Sequence, residues 1–180
     1  MSVAPASLTP SFPELGVSST VDRVLSERGM SSPFPIQALV IPDALEGHDV
    51  LGRSKTGSGK TLAFAVPIVE RLRAEDPRPA ALVLVPTREL AAQVGEDVEP
   101  IARARGLGVA VVHGGGGPRA PQRGRRREGG GHKPSAAHVV IATPGRLNDL
   151  VDRGALGLGT IRILVLDEAD RMLDMGFQPQ

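Results

Sequence analysis

Ser54-Lys55-Thr56-Gly57-Ser58-Gly59-Lys60-Thr61 is the stretch that decides the fold. It follows a short apolar run at residues 49–52 and opens an amphipathic segment at residues 59–73. A glycine-rich turn between a strand and a helix lets backbone amides curl round an anion, and the helix N-terminus adds the positive end of its dipole. Gly57 and Gly59 supply the turn, with Thr56 and Ser58 between and before them. Lys60 is placed to reach the β- and γ-phosphates of a nucleotide, and the Thr61 hydroxyl to ligate Mg²⁺. The first position of the general phosphate-loop pattern is Gly, and here it is Ser54. The alternative is a ligand-free Gly/Ser turn, against which stand the Gly-Lys-Thr ending and the strand-to-helix setting.

Outward from this loop the chain alternates short aliphatic runs with longer amphipathic segments. Strands are expected at residues 49–52, 81–85, 108–112, 138–142 and 163–166. Helices are expected at 59–73 and 88–103, the second with Leu90, Val94, Val98 and Ile101 on one face, and a shorter helix after Pro144. That pattern predicts an α/β fold of the P-loop NTPase type, a parallel sheet flanked by helices. Pro67 and Pro100 are expected to kink or end their helices, because each removes an amide donor. Upstream, Ser18 or Ser19 caps a helix carrying Val21, Val24 and Leu25, and Gly29 suits its left-handed end. Pro35 suits the first turn of another, carrying Ile36, Gln37, Leu39 and Val40. Residues 1–10 are Ser/Pro/Ala-rich and read as a disordered tail, and 11–180 as one domain interrupted by a Gly/Arg-rich loop at 114–135.

Composition narrows the function. The chain has 180 residues, 41% hydrophobic and 23% charged, enough for one domain. Lys and Arg (21) nearly balance Asp and Glu (20), so the net charge of +1 excludes a histone-like or acidic-tail protein and makes any nucleic-acid contact local. Zero cysteines exclude disulfide scaffolds, thiolate zinc sites and thiol nucleophiles. No basic, apolar leader opens the chain, and no apolar run approaches the ~20 residues of a membrane span, so a soluble cytoplasmic protein is expected. His48, His113, His132 and His138 lack metal-ligand spacing.

About a hundred residues after the phosphate loop, Ile163-Leu164-Val165-Leu166 runs into Asp167-Glu168-Ala169-Asp170. An apolar strand ending in adjacent carboxylates places Asp167 to hold hydrated Mg²⁺ and Glu168 to orient or deprotonate an attacking water. Standing alone, the tetrapeptide reads equally well as a solvated acidic strand end.

Together these elements resemble the first RecA-like domain of the DEAD-box ATP-dependent RNA helicases. Residues 29–37, Gly-Met-Ser-Ser-Pro-Phe-Pro-Ile-Gln, look like the adenine-recognising Q motif, with Phe12 at the spacing of the family's isolated upstream aromatic. Pro86-Thr87-Arg88-Glu89-Leu90-Ala91 resembles motif Ia, Gly114-Gly115 the GG element, Thr143-Pro144-Gly145-Arg146 motif Ib and residues 167–170 motif II. Met30 stands where the family usually has an aromatic residue, and Phe34 where it usually has Thr or Ser.

The resemblance implies ATP and Mg²⁺ as cofactors and RNA as partner. It makes Lys60, Asp167 and Glu168 catalytic, with Asp170 coupling motifs and domains. Phe12 would stack on adenine and Gln37 read its edge, although Phe12 as a core anchor and Gln37 as a surface residue are open alternatives. Pro86, Thr87, Arg88, Gly115, Thr143, Pro144, Gly145 and Arg146 would face RNA phosphates without reading sequence, and Thr87 and Thr143 read equally as helix caps. The arginines at 123–127 read as a solvated run. A Ser-Ala-Thr motif and a second RecA-like domain with arginine fingers are also implied, and neither stands within these residues. The sheet is therefore expected to be incomplete at its C-terminal end. The rival readings are a non-catalytic nucleotide- or RNA-binding fragment, and another P-loop enzyme such as a DNA helicase, which leaves Gln37 and Asp170 unexplained.

Overall fold

The computed structural model describes residues 10–55, 57–113 and 132–176. The expectations for the N-terminal tail, Thr56, Gly115 and most of the Gly/Arg-rich loop fall outside them. The chain divides into two units, residues 1–71 and 72–180.

Unit 1 is helical. Ser18 accepts from the Val21 N–H and caps α1 (Ser19–Glu27), which buries Val21 and Leu25. Pro35 opens α2 (Pro35–Glu46), which packs on α3 (Lys60–Arg71). The Ser18 amide also donates to Glu70 of α3 at 2.8 Å, tying the cap of one helix to another.

Unit 2 is a parallel sheet with strand order β2-β3-β1-β4: β1 (Ala81–Leu84), β2 (Val109–Val112), β3 (Val139–Ala142) and β4 (Ile163–Leu166). Each is an aliphatic run, as expected of strands covered on both faces. Residues alternate between the faces. Leu82, Ala110, Val112, Val140 and Ala142 form one core with Leu147 and Leu150 of α5 (Pro144–Asp152). On the sheet, α4 (Arg88–Ala104) packs against β2 and β3, where Val111 leaves no room for a side chain at Gly95. The motif II segment ends in α6 (Ala169–Asp174).

Two polar anchors hold the loops around the sheet. His138 is buried; its Nδ1 accepts from the Gly108 N–H at 2.9 Å, and its Nε2 lies 3.0 Å from the Ala74 carbonyl and 3.1 Å from Arg78 Nε. Asp76 accepts the Arg73 N–H at 2.8 Å and pairs with Arg162, and these contacts, the backbone bond first, hold its carboxyl below the ordinary value. Among the described residues no helix is long and apolar enough to cross a membrane.

Three expectations are corrected. Residues 49–52 form no strand: a strand exists only through a ladder, and unit 1 holds no described strand to pair with. Of the two outcomes expected at Pro67 and Pro100, a kink or an end, the second does not occur, since α3 continues to Arg71 and α4 to Ala104. Each removes one i→i−4 hydrogen bond without ending its helix, and Pro67 is buried. Part of the predicted 114–135 loop is ordered, as a 3-10 turn at Pro134–Ala136.

Candidate functional site

The phosphate loop closes on the segment that resembles the Q motif, all within unit 1. Gln37 is 1% exposed; its side-chain oxygen accepts the Phe34 N–H at 2.8 Å, and its Nε2 donates to the Gly59 carbonyl at 2.9 Å. One amide thus locks the start of α2 to the residue that opens α3. Gly59 has φ +83°, and a Cβ there would stand 2.5 Å from Gln37 Nε2 and 2.6 Å from the Phe34 ring, so only glycine fits. Gly57 has φ +80° with open space around it, so its demand is conformational alone.

Lys60 is the first residue of α3, and its ammonium donates to the Ser54 carbonyl at 3.2 Å across the loop. Thr61 follows in the first turn, half-buried. Ser58 carries the loop's clearest chemical signal: its hydroxyl is buried and has no hydrogen-bond partner among the described residues. A buried hydroxyl left unpaired costs free energy that an incoming acceptor would recover. With the exposed first-turn amides of α3 and the Lys60 charge, these groups fit a polyphosphate.

Phe12 is fully buried in unit 1, so its ring offers no free face and the core-anchor reading describes it. Phe34, which stands where the family usually has Thr or Ser, is the N-cap residue of α2; it makes no side-chain cap bond and is 53% exposed.

Motif II lies in unit 2. The Asp167 N–H donates to the Leu84 carbonyl at 2.9 Å, carrying the ladder one residue past β4. Glu168 then adopts φ 52°, ψ 47°, a left-handed conformation that is costly for a residue with a Cβ, and it re-aims the chain into α6. Its carboxylate accepts from Arg171 at 3.2 Å, and Asp170 accepts the Arg171 N–H at 2.9 Å. The hydroxyl of Thr61 and the carboxylate of Asp167 are hard oxygen donors of the kind Mg²⁺ prefers. Among the described residues no cluster of three or more His, Cys, Asp or Glu forms a metal cage.

Motifs Ia and Ib converge in unit 2 on an open pocket of about 700 Å³. Pro86, Thr87 and Arg88 line one side and Thr143, Gly145 and Arg146 the other, with Glu89, Asp149 and Met175 completing it; Pro144 follows Thr143 as the first residue of α5. Thr87 is the N-cap of α4 and accepts the Leu90 N–H at 3.2 Å, whereas Thr143, N-cap of α5, makes no such bond. Two helix N-termini therefore open on one cavity, the arrangement that suits successive anions. The sequence reading missed Asp149, which pairs with Arg146 three residues earlier and Arg153 four residues later. The helical spacing Arg146/Asp149 was the available signal.

The family profile of the DEAD/DEAH box helicases matches residues 34–180, and the chain belongs to that family. It is 43% identical over 166 residues to the DEAD-box ATP-dependent RNA helicase CshA of Streptococcus pneumoniae, covering 92% of this chain and 30% of that protein. The chain thus spans about a third of the length of the curated relatives it matches. Among solved structures it is similar to the RNA helicase Prp28 from Chaetomium thermophilum bound to ADP, with TM-score 0.76, 33% identity, and 97% and 42% of the two chains covered. It is also similar to a Saccharomyces cerevisiae Dbp5 variant bound to RNA and ADP BeF3, with TM-score 0.72, 31% identity, and 93% and 40% covered.

Proposed function

We propose that this chain binds ATP with Mg²⁺ on the phosphate loop of unit 1 and the backbone of RNA in the pocket of unit 2. In the whole protein these events couple ATP hydrolysis to local opening of RNA duplexes. The observation that carries the nucleotide half is the buried, partnerless Ser58 hydroxyl inside a loop whose shape is fixed by Gln37 and Gly59. The named functions of the relatives, ATP-dependent RNA helicases, support the same reading.

The chemistry asked of these residues is positioning and charge stabilisation. Lys60 exchanges the Ser54 carbonyl for phosphate oxygens, and Ser58 and the first-turn amides of α3 bind the remaining ones. Thr61 and Asp167 would each offer a hard oxygen donor of the kind Mg²⁺ takes, and the ion would supply charge stabilisation to the phosphates. Glu168 orients the attacking water, its carboxylate direction set by the left-handed turn and by Arg171. Asp170 has the role of coupling motif II to its surroundings. Thr87, Arg88, Thr143, Gly145 and Arg146 hold phosphates along one strand, contacts that read the backbone and not the bases.

Titration with a fluorescent ATP analogue and with single-stranded RNA tests both halves. Lys60→Ala should abolish Mg²⁺-dependent ATP binding and leave RNA affinity unchanged. RNA binding should be independent of base sequence and steeply weakened by salt. A chain that binds the analogue equally well with Lys60→Ala, or that prefers one RNA sequence over its scrambled form, would contradict the proposal.

A further inference from the structure

The buried imidazole of His138 belongs to neither phosphate site. It sits just before β3, where the starts of three strands are knitted together. The His138 carbonyl accepts the N–H groups of Ala80 and Ala81, both at 2.9 Å, and its own N–H donates to the Gly108 carbonyl at 2.8 Å. The ring doubles the link to the start of β2, because Nδ1 accepts the Gly108 N–H at 2.9 Å. Nε2 has two polar neighbours, the Ala74 carbonyl at 3.0 Å and the Arg78 Nε–H at 3.1 Å. The carbonyls of Ala74 and Ala136 accept from the other Arg78 nitrogens at 3.2 and 3.3 Å and hold that guanidinium in place.

The ring therefore meets two N–H donors and one carbonyl. A neutral imidazole carries one proton, and the Ala74 carbonyl can accept it. A second proton, on Nδ1, would face the Gly108 N–H, a backbone group that can only donate. It would also place a positive charge 3.1 Å from a guanidinium that never loses its own. The ring is 1% exposed, so water cannot hydrate that charge. The surrounding charged groups offer no relief. Asp76 is taken up by the Arg73 N–H and Arg162, Glu75 and Lys133 are exposed, and the His132 ring packs against Gly108. Among the described residues no carboxylate is bonded to the His138 ring.

We propose that His138 is a proton-sensitive fastener of unit 2: the start of the sheet closes on the neutral ring only, and mild acid opens it. The proposal is independent of the nucleotide reading. An imidazole in an unfolded chain gains a proton near pH 6.5, whereas the folded site has no place for one. Unfolding therefore takes up a proton below that pH, so the stability is complete above it and is lost as the pH falls. The unfolding constant of unit 2 should rise about 25-fold between pH 7 and pH 5 from this one group. Asp76, whose carboxyl is held below the ordinary value, stays charged through that window.

Urea unfolding of the full chain at the two pH values, followed by circular dichroism, measures the effect, and amide exchange at Ala80, Ala81 and Gly108 locates it. His138→Asn offers the Gly108 N–H an amide oxygen and has no proton to gain. Its unfolding constant should change between the two pH values by about 25-fold less than that of the parent chain. His132→Asn should keep the parent's dependence. The proposal is overturned if His138→Asn and the parent respond alike to pH, or if His132→Asn removes the response. Should His138→Asn fail to fold, ¹⁵N spectra of the parent's imidazoles decide. Folded molecules at pH 5.5 should show His138 with an unprotonated Nδ1, and a doubly protonated ring in a sheet that is still folded overturns the proposal.

Discussion

The nucleotide cradle of unit 1 and the backbone pocket of unit 2 both read as phosphate sites, yet they are built on opposite plans. The cradle is closed on itself: Gln37 joins Phe34 to Gly59, Lys60 spans to Ser54, and the buried Ser58 hydroxyl is left for the ligand. The pocket is open, and its formal charges cancel, Arg88 and Arg146 standing against Glu89 and Asp149. A compact triphosphate rewards a preorganised cage, because the loop pays its ordering entropy on folding and not on binding. A polymer that must be released rewards weak, repeated contacts whose cations are partly neutralised.

The largest test of that contrast lies in the cradle. Gln37→Ala removes both ends of the bridge and leaves the Phe34 N–H and Gly59 carbonyl without that partner at a part-buried site, at about 1–3 kcal/mol for the pair. Urea unfolding of unit 1 should therefore shift by that amount, and affinity for ATP and GTP should fall together. The resemblance assigned Gln37 to the edge of adenine, a role whose loss would alter discrimination between bases. A variant that melts normally but loses its preference for ATP would return the amide to base recognition and break the comparison.

The pocket should respond in the other direction. Asp149 draws on both Arg146 and Arg153, so in Asp149→Asn the Arg146 charge is released to the cavity. RNA should bind several-fold tighter at low salt, with the slope of log affinity against log salt steeper by about one unit. Arg146→Ala should flatten the slope by a similar amount. Fluorescence anisotropy across a salt series measures both. If Asp149→Asn weakens binding, the carboxylate serves to aim the arginine and the pocket is more preorganised than its charge balance indicates.

Much of this was legible in the sequence, for reasons that differ by element. The four strands are aliphatic runs flanked by polar or proline residues, and each falls within one residue of its expected place or exactly spans it, as Ile163–Leu166 does. Residues 49–52 misled because a strand depends on its neighbour, and Asp49-Val50-Leu51-Gly52 carries only two apolar residues to advertise one. The edge strand β4 shows the same dependence: among the described residues it pairs with β1 alone, and Leu164 and Leu166 are 57% and 53% exposed although β3, of similar composition, is fully buried. Motif residues were visible by type and order. Their partners were not, since the Gln37 bridge spans 22 residues and the burial of Phe12 is a property of packing.

The smallest expected effect separates the two threonines of the pocket, which the sequence left as caps or RNA ligands without deciding between them. Thr87 spends its hydroxyl on the Leu90 N–H at 3.2 Å, satisfying one of the orphan donors of α4. Thr143 occupies the same position of α5 and makes no cap bond. Thr87→Ala should therefore cost about 1 kcal/mol of stability, read as a fall of a few degrees in the melting temperature, with little change in RNA affinity. Thr143→Ala should leave the melting temperature within error and weaken RNA binding by a small factor, because its hydroxyl has no competing structural duty. Thr143→Ser should restore that affinity. Equal losses of stability in both variants would show that α5 relies on its N-cap as α4 does. The two sides of the pocket would then be alike, and the distinction between a structural and a ligand-facing threonine would fail.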